Sequence, residues 1–306
     1  MPTTSPAIAR TVLTTLRSAG VDFALLQDPA ALTQDTPTGD IDIVIDRPPS
    51  SALSLALHEL EPKGIRLVAL WPYDIGGAAT AFFFDSDGTS GAQIDMLYDP
   101  HGLGHYHVRS SVLLEAAQPS DPFSTIAPPA LSIYQFSKRR WKGQRERLRS
   151  IQSGIRVDHE FLDLVGRLVT SSSLANALVG QEQHIRRRAL VPLAVSHIGR
   201  FVIRVRIPVG FWIHLNDASS SLAEDLANQL GRVLVRSVVA TSPSSLVRAW
   251  WWYWRVVQPV RLRPGVVVSS GRRPNAGGPP PDLIIDNATS PAAQVVEAMA
   301  KRFCGA

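Results

Sequence analysis

The sequence predicts an α/β chain of the α+β kind, with two α/β units and a helical stretch between them. Three observations predict it. Helix and strand signals alternate over residues 1–127, the texture turns helical from Pro128, and strands alternate with helices again after Val209. The expected divisions are 1–127, 128–182 and 183–306.

In the first unit, Ile8, Val12, Leu13 and Leu16 recur at helical spacing, and Gly20 is placed to end that helix. VDFALLQD reads as a strand. DIDIVID, starting at Asp40, reads as a second one. Pro48, Pro49 and Ser50 then announce a helix that closes at Gly64. IRLVALW is a third strand, and AFFFDSDGTSGAQIDMLYD reads as two strands joined by a Gly, Asp and Ser turn, hence a hairpin. PALSIYQFSKRRWKGQRERLRSIQ and VDHEFLDLVGRLVTSSSLANALVG follow as helices. In the last unit VGFWIHL, GVVVSS and PDLIID read as strands, SSSLAEDLANQLGRVL and the segment from Val295 to Phe303 as helices, and GRRPNAGGPPP as a loop.

Composition narrows the classes of function. With 45% hydrophobic and 19% charged residues the 306-residue chain has the balance of a soluble protein. Its one cysteine, Cys304, rules out a disulfide framework or a thiolate zinc site built from this chain alone. No apolar run approaches the ~18 residues of a membrane span, so a cytoplasmic protein without integral membrane association is expected. The net charge of +5 favours anionic partners.

TGDIDIVID carries the chemistry. In a strand, residues two apart share a face, so Asp40 and Asp42 lie on one side while Ile41, Ile43 and Ile45 lie on the other, toward the core. Adjacent carboxylates repel unless a cation sits between them, and magnesium takes hard oxygen ligands together with substrate phosphates. In AQIDML, Asp95 is a polar residue inside a strand. If that strand lies beside DIDIVID, the three aspartates converge.

A helix, a strand, a Gly-Asp-Ile-Asp start to the next strand and a later lone strand aspartate together resemble the core of the nucleotidyltransferase superfamily, most closely its uncharacterised bacterial members. The resemblance covers about the first half of the chain. It implies a mixed sheet of the nucleotidyltransferase fold, Asp40 and Asp42 as metal ligands, Asp95 as third ligand and base, Mg2+ or Mn2+ as cofactor, and a nucleoside triphosphate as substrate beside an unknown hydroxyl acceptor. Many members carry Gly-Gly or Gly-Ser at the end of the preceding strand, where phosphates are cradled. Here Leu26, Gln27 and Asp28 stand instead. With Gly39, Gln27 becomes the candidate phosphate contact, or the chain has lost activity.

SKRRWKGQRERLR packs seven basic residues into one expected helix. The resemblance assigns a lysine here to the triphosphate, and Lys138 is the candidate. Nucleic-acid binding is not expected, because aromatics are not interleaved beyond Trp141. His101, His105 and His107 are spaced too loosely for zinc and read as loop residues.

VGFWIHLNDASSSLAEDLANQLG resembles the opening strand, loop and helix of thymidylate-kinase-like P-loop domains, and PDLIIDNATSPAAQVVEAM their last strand and helix. A P-loop needs glycines and a lysine. Between Gly210 and Gly231 there is neither, and no lysine stands anywhere from Gly143 to Ala300. A degenerate kinase-like shell is expected, without phosphate transfer, bracing the first unit or binding a protein partner. RAWWWYWRVV reads as a helix with tryptophans in the core and at a contact surface. Two functions remain open: a magnesium-dependent nucleotidyltransferase, or a catalytically silent scaffold.

Overall fold

The computed structural model describes residues 4–33, 39–72, 77–104, 106–138, 158–179, 210–216, 218–234, 236–241, 253–257, 265–271, 280–286 and 290–304. The fold is mixed α/β, with a mixed seven-stranded sheet and a parallel four-stranded one.

Helix α1 (Pro6–Ser18) buries Ile8, Val12, Leu13 and Leu16 on one stripe and stops before Gly20, which takes φ of 76°. Strand β1 (Phe23–Leu25), the short α2 (Ala30–Thr33), β2 (Ile41–Ile45) and α3 (Pro49–Leu60) follow. A 3-10 turn at Glu61–Lys63 extends α3 to Gly64 at φ 70°. Strand β3 (Ile65–Pro72) then pairs antiparallel with β4 (Ala79–Asp85), which forms the expected hairpin with β5 (Gly91–Leu97). Helix α4 (Ser110–Glu115) and two short strands, β6 (Ala117–Gln118) and β7 (Thr125–Ile126), complete this sheet. Its order is β3-β4-β5-β2-β1-β7-β6.

One face of the sheet is covered by α1 and α3. Ile41, Ile43 and Ile45 of β2 point there with Ile94 and Met96 of β5 and Phe83 of β4, all in one buried cluster. Period-two alternation sends Val44 and Leu97 to the opposite face. Over that half of the opposite face lie α4, α5 (Pro128–Lys138), α6 (His159–Leu168) and α7 (Ser172–Leu178), through Leu113, Ile133, Tyr134 and Val165.

The other half of that face, Val68 of β3 with Phe82 and Phe84 of β4, is buried against the C-terminal unit. There β8 (Phe211–Asn216), α8 (Ser220–Gly231), β9 (Arg236–Thr241), β10 (Gly265–Gly271), β11 (Leu283–Ile285) and α9 (Pro291–Cys304) build the parallel sheet in the order β11-β8-β10-β9. Leu226 and Leu230 of α8 and Val295 and Met299 of α9 join one cluster with Phe82 and Phe84 on one side and Ile213, Val268 and Ile285 on the other. The two helices are therefore a layer between two sheets, and the C-terminal unit shares a core with the first.

Gly88 and Gly91 permit that seam: a Cβ at Gly88 would sit 2.9 Å from Ala292 Cβ, and one at Gly91 2.7 Å from Val233 Cγ2. Strand β9 and the short elements α2, α4, β6 and β7 are not expected from the pattern. In the tryptophan-rich stretch the structure gives a π-helical turn at Tyr253–Val257, and the tryptophans at 250–252 lie outside the described residues. So do residues 139–157, which include most of the basic helix, and 180–209, where the second division of the chain was expected.

Candidate metal centre

Strands β2 and β5 run parallel with Asp42 directly opposite Asp95. Paired residues share a face, so both carboxylates stand opposite the isoleucines, in the gap between the helical cluster of Val44 and Leu97 and the C-terminal cluster of Phe82. Asp40 joins them from the residue just before β2. One oxygen of each carboxylate lies within 4.8 Å of the others, Asp40 exposed and Asp42 and Asp95 half-buried. Among the described residues this is the one such group of histidine, cysteine, aspartate or glutamate side chains.

Neighbouring groups hold the carboxylates in place. The buried Thr80, opposite Asp95 in the hairpin, donates its hydroxyl to Asp95 Oδ1 at 2.7 Å, and Gln93 Nε2 lies 3.5 Å from the same oxygen. The Asp42 backbone carbonyl accepts from the Leu26 amide at 2.9 Å, and the Asp42 amide donates to Gln27 Oε1 at 3.1 Å. Gln27 thus extends the β1–β2 ladder with its side chain and fixes the backbone that carries Asp42. Asp28 accepts from the Ala30 amide at 2.9 Å and starts α2, so its carboxylate serves its own turn. Gly39 is exposed, and a Cβ there would meet nothing within 4 Å.

Tyr134 of α5 is 2% exposed and packs edge-on against Tyr106, with ring centroids 5.6 Å apart. Burial first, and then the negative charge of Asp42, pushes its phenol well above the ordinary tyrosine range. Helix α5 places Tyr134 in one buried cluster with Val44 and Leu97, the next side chains on the same sheet face after Asp42 and Asp95. Lys138, four residues on, occupies the same helix face by spacing, and its side chain lies outside what is described. His101 is exposed, His107 sits in a loop at φ 53°, and His105 lies outside the described residues.

The sequence pattern missed Thr80, Gln93 and Tyr134 as parts of this site. Thr80 was within reach of it, because counting outward from the DSDGTSG turn pairs Thr80 with Asp95. Tyr134 depends on how α5 crosses the sheet, and no local spacing carries that.

The donor set fits a hard divalent ion. Three carboxylates, with no thiolate and no imidazole, are the donors that hard ions such as magnesium, manganese or calcium take, rather than zinc or copper.

In the C-terminal unit, Ser219 caps α8. Its hydroxyl accepts from the Leu222 amide at 3.3 Å and lies 2.9 Å from Ser221 Oγ. At the carboxyl ends of β8 and β11, Asn216 Nδ2 donates to Asp286 Oδ1. Deeper in the sheet, the fully buried His214 Nδ1 meets Ser269 Oγ at 3.0 Å, and Trp212 Nε1 donates to the same hydroxyl at 2.9 Å. Comparison of the chain with protein-family models and with curated proteins finds no match. No helix among the described residues is long and apolar enough to cross a membrane.

Proposed function

We propose that the chain is a magnesium-dependent nucleotidyltransferase, in which a hydroxyl of a small molecule or protein gives up its proton and attacks the α-phosphorus of a nucleoside triphosphate, taking the nucleoside monophosphate and releasing pyrophosphate. The observation that carries the reading is the register pairing of Asp42 with Asp95, with Asp40 completing a group within 4.8 Å. Asp40, Asp42 and Asp95 would hold Mg2+ or Mn2+. A bound ion supplies neutralisation of phosphate charge and a lowered pKa for the attacking hydroxyl.

The remaining work falls to the chain's own side chains. Thr80 and Gln93 orient Asp95, the proposed base, and Gln27 fixes the strand that carries Asp42. Lys138, one turn beyond Tyr134, is proposed to reach the triphosphate, with the Gly39 backbone and the Gln27 amide as further phosphate contacts. The resemblance of the first half of the sequence to nucleotidyltransferases supports the same assignment.

The alternative is a silent scaffold in which both units have lost nucleotide chemistry. The capping of α8 by its own Ser219, and Asp286 at the strand ends, favour that reading for the C-terminal unit, which we propose transfers no phosphate and serves to brace the first sheet or to meet a protein partner. Isothermal titration of the four common nucleoside triphosphates, with magnesium and with EDTA, separates the two readings. Metal-dependent binding that Asp42→Asn abolishes supports the enzyme. Absence of binding to the folded wild-type chain overturns it.

A further inference from the structure

The row of paired residues that carries the carboxylates continues past them. Asp42 is opposite Asp95, Asp95 is opposite Thr80, and Thr80 is opposite Trp71. Cross-strand partners share a face, so Trp71 stands on the carboxylates' side of the sheet. Strands lie about 4.8 Å apart, which sets Trp71 about 10 Å from Asp95 along the row.

Trp71 is half-buried and packs against the cluster of Phe82 and Phe84. It is the second-last residue of β3, and β3 is the edge of the sheet, so Trp71 stands at the outer end of the row that carries the acids, with its indole nitrogen buried and the residue as a whole partly exposed. At the other end of the row Leu26 is buried in the cluster of Tyr134, so that end is closed by packed side chains. A nucleotide whose phosphates meet the carboxylates therefore has its sugar and base directed toward β3. An indole offers a flat π surface, and stacking on it is tolerant of which base is presented.

Resting on the nucleotide reading of the site, we infer that Trp71 is the stacking platform for the nucleobase, and that the site discriminates weakly among bases. Recognition then divides between two ends of one row: carboxylates and metal for the phosphates, an aromatic wall for the base.

Tripolyphosphate, which has the phosphates but no base, tests this. Titrations of the intact chain with magnesium compare wild type, Trp71→Leu, which keeps apolar bulk, and Trp71→Phe, which keeps a π face. The expected result is that Trp71→Leu weakens binding of all four nucleoside triphosphates by about tenfold or more, that Trp71→Phe restores most of it, and that tripolyphosphate binds all three proteins alike. Should Trp71→Leu not fold, 19F spectra of chains labelled with 5-fluorotryptophan, assigned with Trp71→Phe, are expected to show the Trp71 resonance shifting with ATP and not with tripolyphosphate.

Equal binding of ATP by the Leu variant and wild type, or a Trp71 resonance that ATP leaves in place, overturns the stacking role alone. A wild-type chain that binds neither ATP nor tripolyphosphate overturns the reading of the site, and this inference falls with it.

Discussion

Asp42 and Asp95 face one another across a parallel strand pair, each two residues before a side chain, Val44 or Leu97, that is sealed into the core. Parallel pairing fixes that opposition rigidly, because a slip of one residue would turn the isoleucines of β2 outward. Two carboxylates and a third, all within 4.8 Å, repel one another in the metal-free chain.

That repulsion predicts a signature in stability. In EDTA, Asp95→Asn is expected to stabilise the fold by about 1 kcal/mol, since the amide oxygen still accepts from Thr80 and one charge is gone. With millimolar magnesium the order reverses, because the wild type gains from ion binding and the variant does not. Thermal melts under the two conditions read both effects.

Gln27→Ala removes the acceptor of the Asp42 amide and is expected to weaken manganese binding by about tenfold. Gln27→Glu keeps an acceptor but adds a negative charge, so its metal-free form is expected to melt below wild type and to recover with metal. Manganese titration together with melting curves distinguishes the two effects.

The Tyr134 proton sets an alkaline limit. Its folded pKa is raised above the unfolded value of about 10, by burial first and then by Asp42. Its contribution to stability is therefore complete below about pH 10 and lost as pH rises above it. Circular dichroism is expected to place alkaline unfolding of Tyr134→Phe at higher pH than that of wild type.

Gly91→Ala tests the seam between the two sheets. A Cβ there would lie 2.5 Å from the Phe83 carbonyl oxygen and 2.7 Å from Val233 Cγ2, so a loss of about 1 to 3 kcal/mol is expected. Gly166→Ala is the contrast: it lies within α6, a Cβ meets nothing within 4 Å, and a gain of about 0.5 to 1 kcal/mol is expected. Urea unfolding curves measure both.

Much of the first sheet was legible because its strands are short apolar runs bounded by turn residues, and the isoleucines of β2 recur at every second position. Ile41, Ile43 and Ile45 gave the buried face of β2, and Asp95 stood out as a polar residue inside β5. Convergence of the aspartates required one further condition, that the two strands be neighbours, and the sheet order supplies it. What local pattern could not carry was the layering. Phe82 and Phe84 read as strand residues of either face, and only the long-range return of α8 and α9 decides that they bury against the C-terminal unit. Strand β9 was missed because RSVVAT follows α8 with little turn chemistry to announce it. The bond from the Asp42 amide to Gln27 was hidden for another reason: position offers Gln27 as a candidate phosphate contact, and nothing local shows that its carbonyl oxygen accepts from the Asp42 backbone.

The central claim is that Asp40, Asp42 and Asp95 form a divalent-metal centre. Titration of the intact chain with Mn2+, read by loss of the free-ion electron paramagnetic resonance signal, tests it most directly. The predicted result is saturable binding by wild type, competed by Mg2+ and weakened on the order of 100-fold or more by Asp42→Asn and by Asp95→Asn. Equal Mn2+ binding by wild type and both variants, or none by the folded wild type, would contradict it.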